Sequence, residues 1–380
     1  MEKLVPKLRF PEFEGDWKRN KIKELVQVNP KSDLLPNEFI YIDLESVNNG
    51  VLEKENLIKL SDAPSRAQRL LIKDDILYQT VRPYQKNNLH FKIEKDNYVA
   101  STGYAQLRNK NSISEFIYQM LHTQKFVDNV LLRCTGTSYP SINSSDLAEI
   151  LVLIPKISEQ QKIASFLTSV DERITLLEKQ KKDLELYKKG VMQQLFSQQL
   201  RFKDDKGKDF PDWEERKLGE VVLITKGQQL NKETLSLEGN YPCQNGGIEP
   251  SGYTDDFNTH ENTITISEGG NSCGYVNYMT TKFWCGGHCY ALTEVKLENK
   301  FLYQYLKYYQ GEIMNLRVGS GLPNIQKSTL SNFKIYKPYL EEQQKIATFL
   351  SAIDVRIEVV NKQIEQSKTF KKGLLQQLFV

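Results

Sequence analysis

This 380-residue sequence lacks the features that mark most enzymes and membrane proteins. It has no GxxxxGK[ST] phosphate-binding loop, which excludes a nucleotide site of that type. Its longest purely aliphatic run, residues 150–154, is far too short to cross a bilayer. The chain has only four histidines, and no Ser/His/Asp set has a suggestive spacing. We therefore expect neither a catalytic site nor a membrane segment in this chain.

A strong charge of one sign is also missing. The sequence has 51 Lys and Arg against 48 Asp and Glu, a net charge of +3, so no global basic excess indicates nucleic acid. Five cysteines, an odd number in a chain of this length, fit free thiols in a reducing compartment. No apolar secretory segment is found near the N-terminus. These observations predict a cytoplasmic protein.

Several potential zinc ligands fall in the second half of the chain. They are Cys243, Cys273, Cys285, His288 and Cys289. The set lacks the paired C-x2-C spacing of a structural zinc site, and small buried thiols are the commoner use of such residues. We therefore predict no metal site.

What the sequence does contain is a long internal repeat. Residues 159–196 recur as residues 342–379, and 20 of the 38 aligned positions are identical. An opening motif, LRF followed by a tryptophan, occurs at residues 8–26 and again after the first repeated segment. Such repetition indicates two related units, each ending in the repeated segment. Because the opening motif follows the first QQLF but not the second, we expect circular pseudo-symmetry with the two termini close together.

The repeated segments have the alternating three-and-four spacing of apolar residues that forms a narrow seam on a helix. We expect two long helices that pack mainly against each other, although Lys181, Lys188 and Lys371 interrupt the seam. The predicted seam residues are Ile163, Leu167, Val170, Ile174, Leu177, Leu184, Val191, Leu195, Ile346, Leu350, Ile353, Ile357, Val360, Ile364, Leu374 and Leu378.

Two bodies, residues 17–158 and 213–341, lie between the opening motifs and the helices. Their last portions share a G-x3-P-x-I turn, at residues 136–142 and 319–325, followed by a predicted strand. Their earlier portions contain short β-type runs and do not resemble each other. The pattern predicts two binding modules of α+β class that recognise different targets.

Together, the LRFPEF…W opening, the G-x3-P-x-I turn and the doubled EQQKIA…QQLF segments resemble the specificity subunit of type I restriction-modification systems. The resemblance covers essentially the whole chain. It implies two pseudo-symmetric target-recognition domains, each reading one half of a bipartite double-stranded DNA sequence, and two antiparallel coiled-coil helices that set the gap. The implied boundaries are 1–158 for the first domain, 159–196 for the first helix, 197–341 for the linker and second domain, and 342–380 for the second helix.

The resemblance also implies partners. Two modification subunits, which methylate adenine with S-adenosylmethionine, would bind the helices and neighbouring surfaces, and a pair of ATP-driven restriction subunits would join them. We expect S-adenosylmethionine, ATP and Mg to bind to those partners and no cofactor to bind to this chain, a non-catalytic subunit.

Candidate DNA contacts are polar and aromatic residues in loop-like runs, since Arg pairs well with guanine, and Asn or Gln with adenine. In the first body they are Arg66, Gln68, Arg69, Gln79, Arg82, Tyr84, Lys86, Asn87, Asn88, His90, Tyr104, Ser138, Tyr139 and Ser141. In the second body they are Gln228, Gln229, Gln244, Asn245, Tyr253, Asn271, His288, Asn324 and Gln326.

Two alternatives remain open. One is the specificity subunit of a related two-chain system, in which a single partner combines methyltransferase and nuclease. The other is a two-lobed scaffold, held by a coiled coil, that does not bind DNA.

Overall fold

The computed structural model describes residues 4–32, 34–319 and 321–380, with the backbone alone at Lys232. The chain divides into two compact units. The first unit comprises Met1–Glu178 together with Lys362–Val380, and the second comprises Lys179–Asn361. Each unit therefore contains part of both long helices.

The first unit contains twelve strands and four short helices within its described residues. The strands are β1 (Lys18–Lys21), β2 (Val26–Val28), β3 (Glu38–Ile42), β4 (Val47–Asn48), β5 (Val51–Leu52), β6 (Asn56–Lys59), β7 (Ala67–Leu70), β8 (Ile76–Gln79), β9 (Leu89–His90), β10 (Tyr98–Ser101), β11 (Tyr104–Asn109) and β12 (Leu151–Ile154). The short helices are α1 (Ile22–Leu25), α2 (Ser114–Leu121), α3 (Gln124–Leu131) and α4 (Ser144–Ala148).

The second unit has nine strands and four short helices in the part of the chain that is described. The strands are β13 (Glu214–Lys217), β14 (Leu223–Lys226), β15 (Tyr241–Gln244), β16 (Tyr253–Thr254), β17 (Thr263–Ser267), β18 (Val276–Met279), β19 (Trp284–Cys285), β20 (Cys289–Thr293) and β21 (Lys334–Lys337). The short helices are α6 (Leu218–Val221), α7 (Asn299–Tyr308), α8 (Gln310–Met314) and α9 (Lys327–Ser331).

The two long helices are α5 (Ile157–Phe196) and α10 (Leu340–Leu378). They begin within two residues of the predicted positions, as expected for boundaries drawn from periodicity. Among the described residues, no helix is both long and apolar enough to span a membrane.

Both units are built on the same four-stranded sheet. Its order is β2-β11-β8-β9 in the first unit and β14-β20-β17-β18 in the second. The two central strands, β8 and β17, are buried along their whole lengths. In each unit a second sheet contains one parallel pair, β3 with β10 and β15 with β19. The portions that do not resemble each other in sequence therefore share strand order, because burial rather than residue identity defines these strands.

The predicted seam is the buried face of both long helices. Of its sixteen residues, thirteen are buried, and Leu177, Leu184 and Ile357 are half-buried. The helices also contribute to the core of each unit. In the first unit, Ile163 and Leu374 belong to the same apolar cluster as Phe116. The expectation that the helices pack mainly against each other is therefore incomplete, since seam residues near the helix ends fill the domain cores.

The lysines that interrupt the seam form polar pairs between the helices. In the first unit, Lys371 Nζ lies 2.6 Å from Asp171 Oδ1. In the second unit, Lys188 Nζ lies 2.6 Å from Asp354 Oδ1, and Lys181 Nζ donates to Asn361 Oδ1 at 2.8 Å. The partner number falls as the lysine number rises within the second unit, so the helices run antiparallel there.

The same pairs also bind the helices to the domain of each unit. Gln119 Nε2 donates to Asp171 Oδ2 at 2.7 Å, and Gln304 Nε2 donates to Asp354 Oδ2 at 2.6 Å. The glutamines occupy equivalent positions in α2 and α7. Each aspartate thus accepts from its own domain and from the opposite helix.

The opening motif binds the start of the following long helix. In the first unit, Arg9 donates from Nε and Nη2 to the buried carboxylate of Glu159, at 2.8 Å each, and Trp17 Nε1 donates to it at 3.3 Å. The second unit repeats this contact with equivalent residues, which are Arg201, Trp213 and Glu342. A two-point Arg–carboxylate contact of this kind is a strong polar interaction.

The C-terminal end of α10 lies against the opening motif of the first unit. Leu8 N donates to Gln377 O at 2.9 Å, and the rings of Trp17 and Phe379 have centroids 6.4 Å apart. Residues from the two ends of the described chain therefore complete one core, the arrangement that circular pseudo-symmetry predicts.

Candidate nucleic-acid interface

In the first unit, the repeated turn packs against the end of central strand β8. Thr135 and Ser141 exchange backbone hydrogen bonds across the turn, and Gly136 adopts φ 86°, a left-handed conformation that favours glycine. Arg82 N donates to Pro140 O at 2.7 Å. The turn is thereby held beside the segment that leaves β8.

In the second unit, the equivalent turn has the same contacts. Gly319 adopts φ 96°, Gly270 N donates to Pro323 O at 3.0 Å, and Ile325 N donates to Glu268 O at 2.8 Å. Ser320, also in this turn, lies outside the described residues. By these bonds, residues 268–270 correspond to residues 80–82, although the two sequences are unrelated.

Several predicted contact residues of the first body meet at this turn. The Arg82 guanidinium lies 4.2 Å from the centroid of the Tyr139 ring, a cation–π contact. Thr80 binds Gly103 O, and Thr102 N donates to Arg66 O. We define the first loop cluster as Arg66 with residues 80–85, 102–103 and 138–141. Within it the predicted residues Arg66, Tyr84, Ser138 and Tyr139 are exposed, and Arg82 and Ser141 are half-buried.

Other predicted residues of the first body support this cluster from beneath. Gln79, Asn88 and Tyr104 are buried. Gln79 N donates to Asn88 Oδ1 at 2.9 Å, and Gln79 Nε2 donates to Gln85 Oε1 at 2.8 Å. Asn87 binds Val47 O through Nδ2. Because these side chains are buried, they cannot reach a base without rearrangement. The sequence could not exclude them as contacts, since polar residue types occur at both exposed and buried positions.

Lys86 and His122 form a polar contact below the same segment. Lys86 Nζ donates to His122 O at 3.1 Å, and burial lowers the pKa of the lysine. Burial also lowers the pKa of His122 to about 4, so this imidazole is neutral at neutral pH. Lys86 is therefore engaged with the domain rather than free at the surface.

Gln68 and Arg69 lie on strand β7, next to the first loop cluster. Gln68 is exposed, and its Nε2 donates to Ser65 O at 2.7 Å. Arg69 is half-buried, and burial lowers its pKa. Its Nε has no hydrogen-bond partner among the described residues. His90 differs from these residues, since its side chain is nearly enclosed at the end of β9.

The second unit brings its predicted residues together around a close approach of two backbones. A Cβ at Gly246 would lie 2.7 Å from His288 O, so only glycine fits there. His288 N donates to Asn245 Oδ1 at 3.2 Å, and Glu268 N donates to His288 O at 2.9 Å. Gln228 N donates to Cys285 O at 2.8 Å.

We define the second loop cluster as residues 226–229, 244–246, 268–271, 286–288 and 322–326. Its exposed predicted residues are Gln228, Gln229, Asn271, His288, Asn324 and Gln326, and Asn245 is half-buried. Gln244 is buried, with its Nε2 bonded to Gly247 O. Tyr253 lies apart from the cluster, in the pairing of β15 with β16.

The cysteines considered as zinc ligands are free thiols. Cys243, Cys273, Cys285 and Cys289 are buried, and burial raises the pKa of Cys243 and Cys273. A raised pKa keeps a thiol protonated and therefore unreactive.

Comparison with known proteins decides the family. A model described as the type I restriction modification DNA specificity domain matches residues 14–186 and again residues 211–368. The chain belongs to the type I specificity family. The resemblance drawn from the repeated motifs is therefore confirmed, as is the α+β fold with two related domains.

Curated members of the specificity family are similar to this chain over different lengths. A Mycoplasma pneumoniae protein named provisionally as a type I specificity subunit is 37% identical over 44% of this chain and 46% of its own length. The chain therefore matches about half the length of that relative. The Methanocaldococcus jannaschii MjaIX specificity subunit is 24% identical over 96% of this chain and 89% of its own.

Solved structures of proteins from type I restriction-modification systems share the fold. The S subunit of a type I restriction-modification system from M. genitalium aligns over 99% of both chains, with a TM-score of 0.67 and 21% identity. A chain from a structure of type I complex assembly aligns over 96% of this chain and 97% of its own, with a TM-score of 0.58 and 24% identity.

Sequence reasoning on this specificity-family chain missed Glu268. Its carboxylate lies 2.6 Å from Lys226 Nζ and 3.7 Å from His288 Nδ1, and it accepts a hydrogen bond from Tyr290 Oη at 3.2 Å. Burial, followed by this carboxylate, raises the pKa of Tyr290 to about 12. No local sequence signal marks Glu268, because its partners lie 20 residues or more away along the chain.

Proposed function

We propose that this chain is the DNA-reading subunit of a type I restriction-modification complex and acts in the cytoplasm. In this proposal each unit reads one half of a bipartite target in double-stranded DNA. The observation that carries the proposal is the repeated turn, which holds two chemically different loop clusters at equivalent places in one frame. A shared frame with different exposed side chains is what two different half-sites require.

The exposed members of each loop cluster, together with half-buried Arg82, are the proposed base contacts. Arg66 and Arg82 can each pair with the two acceptors of guanine in the major groove. In the second unit, Gln228, Gln229 and Asn271 can pair with adenine in the same way. We propose that the buried residues Gln79, Asn88, Tyr104 and Gln244 position these loops instead of touching bases.

The charge of the two bodies supports a division of labour with partner subunits. Residues 17–158 have 19 Lys and Arg against 16 Asp and Glu, whereas residues 213–341 have 12 against 14. Affinity for DNA rests largely on neutralising phosphates with basic side chains. We infer that the partners supply much of the phosphate contact, while this chain supplies base readout.

The long helices present an exposed apolar pair in each unit. Leu176 is 67% exposed and Phe370 55% in the first unit, and Tyr187 is 53% and Val359 49% in the second. The pairs occupy equivalent repeat positions and lie outside the seam. Single exposed apolar residues are ordinary, but equivalent pairs fit two copies of one partner. We propose two methyltransferase subunits here, with restriction subunits joining them and with S-adenosylmethionine, ATP and Mg bound to those partners.

The helices are also the proposed spacer between half-sites. Both run without interruption from one unit into the other. Inserting four residues near Lys181 adds about 6 Å of helix, close to two base-pair steps of about 3.4 Å. With a matching insertion in α10, methylation should move to sites with a longer gap and unchanged half-sites. A changed half-site sequence would refute the spacer role.

The decisive experiment compares adenine methylation across the host genome with and without this chain. We expect one bipartite motif to lose methylation when the chain is removed. In a second experiment, filter binding compares the isolated chain with the complex containing the modification subunits. Tight and specific binding by the isolated chain would contradict the division of labour.

Co-purification separates the alternatives. A methyltransferase partner excludes the scaffold that does not bind DNA. The sequence of that partner then distinguishes a separate modification subunit from a fused methyltransferase-nuclease.

A further inference from the structure

We propose that the first unit binds a divalent metal ion between Asp74, His90 and Glu115. These residues come from three separate segments. Asp74 lies in the turn before β8, His90 ends β9, and Glu115 lies in the first turn of α2. Their ligand atoms all lie within 4.8 Å of one another.

The separation of His90 and Asp74 fits a shared ion better than a direct bond. His90 Nε2 is 3.5 Å from Asp74 Oδ1, longer than a normal N–H···O hydrogen bond. Two ligands that each lie 2.0–2.2 Å from one tetrahedral ion are about 3.4 Å apart. The observed distance therefore leaves room for an ion between the two atoms.

Among the described residues, no group forms a hydrogen bond with the Nε2 atom of His90. Nε2 is buried without a hydrogen-bond partner, and the side chain of His90 is only 6% exposed. Such buried polar atoms are rare unless a ligand or water satisfies them.

In the second unit, the residues at the three equivalent positions are not of the types that commonly bind metal ions. Strand pairing places His90 opposite Ile76 and Tyr278 opposite Ile264, so His90 corresponds to Tyr278. By the same correspondence Asn262 replaces Asp74, and both residues have a left-handed φ, 58° and 68° respectively.

In that unit the contact is a direct hydrogen bond. Tyr278 Oη donates to Asn262 Oδ1 at 3.3 Å. Lys300 occupies the position of Glu115, one residue before the equivalent phenylalanines of α2 and α7. The second unit thus has a neutral hydrogen-bonded pair at these positions, whereas the first unit has three residues of the types that bind metal ions.

The donor set indicates the class of ion. One imidazole nitrogen with two carboxylates suits a borderline ion such as Zn²⁺ or Co²⁺ rather than Mg²⁺ or Ca²⁺, which prefer oxygen ligands throughout. Asp74 is half exposed, which gives the ion a path from solvent. Binding would join β9, the turn before β8 and α2, and so stiffen residues 86–90, which directly follow residues 80–85 of the first loop cluster.

The test is a titration of the tag-free, full-length chain with Co²⁺, followed by its visible spectrum and by metal analysis after dialysis. We expect one equivalent to bind through nitrogen and oxygen ligands. The matched control replaces the three proposed ligands by the residues at the equivalent positions of the second unit, with the substitutions Asp74→Asn, His90→Tyr and Glu115→Lys. We expect this variant to fold and to bind at least about tenfold more weakly.

A single variant, His90→Gln, keeps the test valid if the triple variant does not fold. It should weaken the binding of Co²⁺ in the same way. Circular dichroism verifies the fold of each. Three results would overturn the proposal: no stoichiometric binding by the unsubstituted chain, equal binding by the variants, or an intense thiolate-to-cobalt band. The last result would place the ion on the cysteines of the second unit.

Discussion

The two units place different residues at one equivalent position, six residues after the matching phenylalanines of α2 and α7. His122 follows α2 in the first unit, and Lys307 occupies the matching position in α7 of the second. By contrast, the glutamine three residues earlier in each unit and the aspartate that it binds are the same. The difference teaches that the polar contacts to the long helices are shared, whereas a buried position three residues further along the chain is free to differ between the units.

The largest expected effect comes from removing a shared contact. Glu342→Ala should lower the free energy of unfolding of the second unit by about 3–5 kcal/mol, because Arg201 and Trp213 Nε1 lose their common acceptor. Glu159→Ala should do the same in the first unit. Urea unfolding followed by the fluorescence of Trp17 and Trp213 measures each loss.

The matched control is Glu342→Gln, which retains an acceptor for Trp213. We expect it to cost less than the alanine variant. Losses below about 1 kcal/mol for both alanine variants would show that this contact does not hold the helix to its unit.

The second prediction separates the units by pH. Burial lowers the pKa of His122 to about 4, below its ordinary value of 6.5, so the unfolded chain takes up a proton more readily. The first unit should therefore lose roughly 3 kcal/mol of stability as pH falls from 6.5 to 4. His122→Gln should flatten this part of a pH series of urea unfolding curves.

Lys307 should produce its effect in a different pH range. Burial, with Lys188 nearby, lowers its pKa to about 8, although Nζ donates to Val276 O at 2.9 Å. The second unit should therefore gain stability as pH rises from 8 to 10, and Lys307→Met should remove that gain. Retention of the gain by the Lys307→Met variant would contradict the assignment.

A third, smaller effect is expected where the helices pair. Asp354→Ala leaves Gln304 Nε2 and Lys188 Nζ without their acceptor and should cost about 2 kcal/mol. Asp171→Ala should cost a similar amount in the first unit. Lys188→Met, which lengthens the apolar seam, should be nearly neutral in the same unfolding experiment. A large loss with Lys188→Met would mean that the charge itself is required.

The smallest effect concerns recognition. Arg82→Ala should reduce discrimination at one base pair of one half-site by about 1–2 kcal/mol, and Asn271→Ala should act only on the other half-site. Competition binding by the assembled complex measures both. If either substitution changed the half-site assigned to the other unit, the modular division would be wrong.

The sequence predicted the helices well because their signal is local and periodic. It also located the repeated turns and indicated short strands in the earlier portions of both bodies. It could not show that Arg9 binds Glu159, since 150 residues separate them. Nor could it separate exposed Arg66 from buried Gln79, because both are polar residues in similar runs. The predicted domain boundaries and the DNA contacts stay predictions.

The shared strand order was beyond sequence comparison for a different reason. Positions in the central sheets are filled by any residue that packs, so Tyr78 corresponds to Ile266 without sequence likeness. The three proposed metal ligands have no recognisable spacing, since a turn, a strand end and a helix start bring them together.

The first unit needs residues from both ends of the described chain. Its core includes Trp17 and Phe116, but also Leu374 and Leu378. During synthesis, domains generally fold as units from the N-terminal end. Most of the first unit is translated first, but its core is completed last. Its apolar surface therefore stays uncovered while the ribosome makes the whole second unit. The nascent chain should therefore depend on chaperones through its first half.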